Sequence, residues 1–244
     1  MVKTIKPEQL PTDQKAAYDG WLEYFDQAID SRPFVPSSYM GEDKNLLAFR
    51  SKEAFISWYG QSPGNEPYRD DGFYTRELTW LSAWCKPKIV AEFGSDKGIG
   101  TFILSRLNPD AEVHTIDNRD LVPMPPADQR VRAGFFALPC RNAYFHVGNS
   151  KNFAMSHTDF CFIDGDHSEQ GVWNDSLRAW INRNEGNRWV IVWHDYRNTE
   201  EMAGLRAAIH RFSNFVRKKV YRFEDSSTVF MTSEDIPILE GISG

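Results

Sequence analysis

Four short stretches of this 244-residue chain gather residue types that do chemistry. The first, Ala91-Glu92-Phe93-Gly94-Ser95-Asp96-Lys97-Gly98-Ile99-Gly100-Thr101, runs from an apolar segment through a glycine-rich turn into a helical pattern. Strand–turn–helix junctions of this kind bind ligands at the carboxyl edge of an α/β sheet. Gly94 lets the chain turn sharply, and Gly98 lets a ligand approach the backbone. The dinucleotide fingerprint G-x-G-x-x-G is absent, because Ser95-Asp96-Lys97 separates the first two glycines. The turn is not built to cradle a pyrophosphate. The second stretch, Val113-His114-Thr115-Ile116-Asp117, delivers a carboxylate at the end of the next strand. Asp117 falls roughly 20 residues past the turn, where α/β nucleotide sites hydrogen-bond ribose hydroxyls. Alone it would read as a turn former; beside the glycine turn it reads as a ribose ligand.

The third stretch, Asp159-Phe160-Cys161-Phe162-Ile163-Asp164-Gly165-Asp166-His167-Ser168, brings two carboxylates and an imidazole to the end of a buried strand. Asp166 also has an ordinary reading, since Asp166-x-x-Glu169 has capping-box spacing ahead of an amphipathic helix. Asp164 follows an apolar run and belongs at the sheet edge. The fourth stretch, Val190-Ile191-Val192-Trp193-His194-Asp195-Tyr196, repeats the device on the following strand. Asp164, His194 and Asp195 therefore converge at neighbouring strand ends, a reasonable set of ligands for a divalent cation. The bland alternative makes His194 and Asp195 turn formers hydrogen-bonded to backbone.

The elements that must position these groups follow from the hydrophobic pattern. After Pro87, strand-like runs cover residues 89–93, 112–117, 144–147, 159–164, 189–194, 220–223 and 228–232. Helical patterns fill residues 99–107, 169–182 and 199–212, whereas Pro123, Pro125 and Pro126 rule out a regular helix over 118–128. Strands separated by helices imply a mostly parallel sheet covered on both faces. The last two strands are joined only by Asp225-Ser226-Ser227 and must be antiparallel. The fold class expected is α/β: a doubly wound, mostly parallel seven-stranded sheet with a C-terminal antiparallel hairpin.

Residues 1–87 read differently, as a helical extension preceding a domain of residues 88–244. A stripe of Tyr18, Trp21, Leu22, Phe25 and Ile29 predicts a helix over 11–31, with Thr12 or Asp13 as its N-cap. Further helices are expected over 45–59 and 74–85, with a turn-rich loop over 60–72. This extension is expected to cover the carboxyl edge of the sheet, offering Tyr68, Phe73 and Tyr74 to a substrate pocket and a surface for a homo-oligomer.

Composition narrows the partners. Net charge is −6, which argues against a protein that binds nucleic acid by neutralising phosphates. The three cysteines, Cys85, Cys140 and Cys161, lack C-x-x-C spacing and read as buried, reduced thiols. The start has no apolar signal-peptide core, and no run of apolar residues is long enough to span a membrane. A soluble cytoplasmic protein is expected.

Taken together, Glu92-x-Gly94-x-x-x-Gly98-x-Gly100, Asp117, Phe162-Ile-Asp-Gly-Asp-His-Ser168 and Trp193-His-Asp195 resemble the class I S-adenosylmethionine-dependent methyltransferases. The similarity is strongest to small-molecule O-methyltransferases related to catechol O-methyltransferase, macrolide-sugar O-methyltransferases and proteins labelled cephalosporin hydroxylase. It runs from about Tyr74-Thr-Arg-Glu77 to Asp195. The resemblance implies S-adenosylmethionine as cofactor and a small-molecule hydroxyl as acceptor. Glu92 and the turn of Gly94, Ser95, Asp96, Lys97, Gly98 and Gly100 would hold its methionine end. Asp117 would hold the ribose hydroxyls, Asn118 would also contact the cofactor, and Gly148-Asn149-Ser150 would pass the adenine. Asp164 would serve both cofactor and metal, with His194 and Asp195 completing the metal shell. The catechol enzymes have a carboxylate and an amide at the latter pair, so a histidine here weakens the case for Mg²⁺ and leaves room for Mn²⁺, another transition metal or no metal. The catalytic base falls at His167 by likeness to the catechol enzymes, or at Asp166 by likeness to the sugar enzymes.

Two rival readings remain. Asp164-Gly165-Asp166 is also the D-x-D with which many glycosyltransferases hold a metal and a sugar nucleotide, although that leaves the glycine turn and Asp117 unexplained. A non-catalytic cofactor-binding module would be favoured were the metal constellation dispersed.

Overall fold

A computed structural model of the chain describes residues 2–20, 75–96, 98–118, 140–224 and 226–236. Eight strands form one sheet: β1 (Val2–Ile5), β2 (Ile89–Phe93), β3 (Glu112–Asp117), β4 (Ala143–Val147), β5 (Phe160–Ile163), β6 (Val190–Trp193), β7 (Val220–Phe223) and β8 (Val229–Thr232). Their order across the sheet is β1-β7-β8-β6-β5-β2-β3-β4. All neighbours run parallel except β8, which is antiparallel to both β6 and β7. The five-residue connection between β7 and β8, residues 224–228, is too short for a crossover and forces that reversal, as expected.

The sheet is doubly wound because its central strands are apolar on both faces. Helices α2 (Thr75–Cys85) and α3 (Ile99–Leu107) cover one side. There Leu78, Leu81, Phe102 and Leu104 pack on Val90, Phe160, Val192 and Phe230. Helices α4 (Glu169–Asn182) and α5 (Ala203–Val216) cover the other, where Val172, Leu205 and Phe212 meet Phe93, Ile163 and Trp193. The three cysteines are buried, and none forms a disulfide among the described residues. Helix α2 stops where Lys86 adopts φ 50° ahead of Pro87, whose ring disfavours helical geometry in the residue before it.

The sheet departs from expectation at its rim. It has eight strands rather than seven, because Val2–Ile5 adds parallel to β7 with Ile5 opposite Phe223. A helical reading of the first residues missed this strand; Ile5 is fully buried. Helix α1 (Thr12–Asp19) forms where the aromatic stripe begins, but Pro11 occupies its N-cap and no side chain caps it, so neither Thr12 nor Asp13 plays that part. Helix α5 begins at Ala203, four residues later than the pattern suggested. The helix expected over 45–59, the loop over 60–72, the rings of Tyr68, Phe73 and Tyr74, and the prolines 123–126 lie outside the described residues. No helix among the described residues is long and apolar enough to cross a membrane.

Candidate functional site

The carboxyl ends of β2, β3, β4 and β5 surround a cavity of about 500 Å³, within the range of small-molecule sites. Gly94 turns the chain out of β2 with φ 93°, a conformation that side-chain-bearing residues rarely adopt. A Cβ there would lie 2.4 Å from the Asp164 carbonyl oxygen, so only glycine lets β2 and β5 end this close together. Asp96 follows at φ 42° and donates its backbone N–H to Asp117 Oδ2 at 2.9 Å. The turn therefore orients the carboxylate at the end of β3. Gly94, Asp96, Asp117 and Asn118 line the cavity on this side.

Gly148, Asn149 and Ser150 line it on the β4 side. They lie beside Asp117 because Asp117 and Val147 are partners in the parallel ladder. Asn149 caps the single 3-10 turn that follows, accepting the Lys151 N–H at 3.0 Å. Asp164, Gly165 and Asp166 complete the wall from β5, and Gln170, Asn174 and Asp175 contribute from α4.

Other expected residues stand apart from the cavity. Glu92 is buried beneath the turn and absent from the lining; both Thr101 and Thr115 donate hydroxyls to its Oε2. Burial pushes its carboxyl up to about 8, against the pull of those hydroxyls. Ser95 is likewise turned inward, sharing a short hydrogen bond with Thr115. Gly98 begins α3 in a left-handed conformation, and Gly100 leaves room for Glu92, whose Oε1 a Cβ would meet at 2.2 Å. These residues brace the turn from below. Lys97 lies outside the described residues.

Beyond Asp164 the cavity adjoins a compact ionic cluster. His194 Nδ1 lies 3.0 Å from Asp164 Oδ1 and 3.5 Å from Asp195 Oδ2. His167 Nε2 lies 3.5 Å from Asp195 Oδ2 and 3.9 Å from Asp164 Oδ1. Asp195 reaches inward from a left-handed backbone, φ 56°, and its other oxygen meets Arg197 at 3.0 Å. Burial disfavours the charged form of His194, yet the carboxylates of Asp164 and Asp195 outweigh it and raise the imidazole to about 10. Burial likewise opposes ionisation of Asp195, but the His194 hydrogen bond and nearby cations hold it down to about 2. Asp164 moves in the same direction: desolvation is overcome chiefly by His194 and His167. The nearby carboxylates of Asp164 and Asp195 raise His167, partly offset by its burial.

Asp164, His194 and Asp195 each offer a ligand atom within 4.8 Å of the others. The set fits a divalent cation, and its nitrogen suits Mn²⁺ or Zn²⁺ better than Mg²⁺. The expected convergence of these three residues is thus present in the structure, with His167 added to it. Asp166 differs from expectation in detail. The N-cap of α4 is Ser168, whose hydroxyl accepts the Gly171 N–H at 3.0 Å. Asp166 instead accepts the Ser168 N–H at 2.9 Å and its hydroxyl at 2.8 Å, and these bonds lower its pKa. Asp164 and Asp166 therefore address different partners, unlike a D-x-D pair sharing one cation.

Asp175 was not among the residues expected from sequence. It sits inside α4, six positions past the helix start, and no motif marks it. The available signal was a carboxylate on the buried stripe that includes Val172, Ser176 and Ala179.

Residues 91–196 match the family model of a methyltransferase domain. No curated protein matches the chain by sequence. Among solved structures, cofactor-bound Rv0187 from MTB is 16% identical with a TM-score of 0.55, over 83% of this chain and 94% of that one. The SAH-bound methyltransferase PaMTH1 of Podospora anserina is 14% identical, TM-score 0.51, over 91% and 97% of the two chains. The O-methyltransferase from Bacillus cereus in complex with SAH is 15% identical, TM-score 0.50, over 93% and 98%. At such identities the likeness establishes the fold. Residues 91–196 thus match a methyltransferase-domain model, and the whole described sheet shares its fold with solved methyltransferase structures.

Proposed function

We propose that the protein transfers the methyl group of S-adenosylmethionine to a hydroxyl of a small molecule. The observation that carries this reading is the double role of Asp164. It lines the cavity beside Gly94 and also belongs to the cluster with His167, His194 and Asp195. A cofactor held by the Gly94 turn and Asp117 would place its reactive end beside groups able to bind and deprotonate an acceptor.

The cofactor supplies a sulfonium methyl with a neutral thioether as leaving group. The chain must then bring the acceptor oxygen in line and take its proton, work dominated by proximity and orientation. His167 is the better placed base, because its imidazole joins the cluster while Asp166 is engaged by Ser168. His167 would take the proton of the acceptor hydroxyl, and the cluster around it would hold the oxygen toward the cavity where the cofactor's methyl group would be offered. Asp164, His194 and Asp195 would hold a divalent cation, which would lower the pKa of the acceptor hydroxyl.

Calorimetry with S-adenosylhomocysteine should show saturable binding to the purified chain. Acceptor screening with methyl-labelled cofactor should then place the label on oxygen. Absence of S-adenosylhomocysteine binding would overturn the reading.

A further inference from the structure

We propose that His114 and His146 form a proton-controlled latch between β3 and β4, which opens on acidification and loosens the cavity wall at residues 148–150. The two histidines are diagonal neighbours on one face of the sheet, since His114 pairs with Tyr144 and Ile116 with His146. His114 Nδ1 lies 3.0 Å from His146 Nε2. The ring centroids are 5.3 Å apart and the planes differ by 18°, so the rings lie nearly side by side with these nitrogens between them. On its far side, His114 Nε2 lies 3.4 Å from Glu112 Oε2. Tyr144 stacks on the His114 ring at 4.9 Å, and Phe153 lies against His146 at 5.2 Å.

A direct contact between two imidazole nitrogens holds one proton. Glu112 takes the Nε2–H of His114, which leaves Nδ1 to accept the Nε2–H of His146. The bare Nδ1 of His146 ends the chain and can carry one added proton. With both rings protonated, two N–H groups and two positive charges face each other, and the contact must break. Glu112 of β3 and Tyr144 of β4 are the other titratable groups in contact with the pair. The 150–153 segment presents the Phe153 ring, while its links to α4, Ser150 with Asp175 and the Lys151 carbonyl with Arg178, are engaged with each other. Burial, and then the charge of His114, lower the pKa of His146 below 6.5. The folded chain takes up this proton less readily than the unfolded chain. Stability from the latch is therefore present above pH 6.5 and is lost as pH falls below it.

The latch reaches the cavity by two routes. Gly148, two residues after His146, donates its N–H to the Asp117 carbonyl at 2.8 Å. Phe153, against His146, meets Phe93 edge-on at 6.2 Å, directly before Gly94.

The test compares the intact wild type with His146→Gln, whose amide can donate to His114 and takes up no proton. Denaturant midpoints at pH 7.5 and 5.5 read the latch without cofactor, and the wild type should lose more stability on acidification. Calorimetric titration with S-adenosylhomocysteine rests on the reading of the cavity proposed above. Affinity should fall several-fold between those pH values in the wild type and less in the variant. Asp175, whose carboxyl is also raised, is common to both proteins, so the difference isolates the pair. Histidine ¹⁵N NMR at pH 7.5 should find the His146 proton on Nε2, and the His146 titration should move up in His114→Gln. Circular dichroism confirms folding of each variant. Parallel stability curves for the wild type and folded His146→Gln overturn the latch, as does a wild-type His146 protonated at Nδ1. Parallel affinities overturn its link to the cavity. Failure of the wild type to bind S-adenosylhomocysteine at pH 7.5 overturns the methyltransferase reading instead, and the stability and NMR measurements still decide the latch.

Discussion

Asp96 donates its backbone N–H to the carboxylate of Asp117 across 2.9 Å, joining the glycine turn after β2 to the end of β3. The bond fixes the carboxylate at the cavity wall before any ligand arrives. Asp117→Ala removes both the proposed ribose acceptor and this anchor, and should weaken S-adenosylhomocysteine binding by about 1–3 kcal/mol. Asp117→Asn keeps an acceptor for Asp96 and should lose less. Calorimetric affinities of the three proteins check the order; equal affinities would remove Asp117 from the site.

Gly94 is the position where the fold tolerates least. Its φ of 93° and the 2.4 Å approach of a Cβ to the Asp164 carbonyl act together. Gly94→Ala should destabilise the protein by more than about 2 kcal/mol and displace Asp164 from the cavity wall. Denaturant melts measure the first effect, and cofactor affinity the second.

The parts of this molecule legible in sequence are those where pattern and burial coincide. β2, β3 and β7 fall where apolar runs placed them, and Asp117 and Asp164 stand at strand ends because an apolar run must stop at the sheet edge. Glu92 shows the limit of that logic. Ala91, Glu92 and Phe93 are all buried in a strand covered on both faces, so their pattern carries no alternation to reveal which way the carboxylate turns. β1 left no signal because an edge strand of four residues, half of them polar, is held by backbone pairing to β7. Asp175 was hidden because its place at the cavity wall comes from two elements meeting, α4 and the 148–150 segment, far apart in sequence.

Glu92 gives the stability curve a defined slope. Its carboxyl is raised to about 8 from an ordinary 4.5, so the folded state holds a proton that the unfolded state has released. Stability from this group is present below pH 4.5 and is lost as pH rises toward 8, by at most about 5 kcal/mol. Glu92→Gln carries no ionisable proton and should flatten the fall between those pH values. Denaturant midpoints of both proteins at pH 5, 6.5 and 8 test this; parallel curves would show that Glu92 ionises normally.

Ile5 tests whether β1 contributes to the core. The side chain is fully buried among the residues packed with α2 and α3. Ile5→Ala should cost about 2–5 kcal/mol, as for other buried aliphatic truncations. A change near zero in a denaturant melt would mean that β1 adds nothing to the folded core.

The ionic cluster makes the sharpest prediction, because it can be read in two ways with opposite responses to chelation. As a network without a cation, Asp164, His194, Asp195 and His167 form carboxylate–imidazole ion pairs, and Arg197 neutralises the second oxygen of Asp195. As a cation site, the ligand atoms of the first three are already within 4.8 Å of one another, and a divalent ion would replace the positive charge of the imidazoles. We expect EDTA to abolish turnover while leaving the melting curve and S-adenosylhomocysteine affinity nearly unchanged. Mn²⁺ should restore activity at lower concentration than Mg²⁺, because one ligand is a nitrogen. Asp195→Ala should lower kcat by orders of magnitude without affecting cofactor affinity, since Asp195 does not line the cavity. Arg197→Ala removes the competing guanidinium and should tighten Mn²⁺ binding. Full turnover in EDTA would dispose of the cation, and His167 would then deprotonate the acceptor unaided.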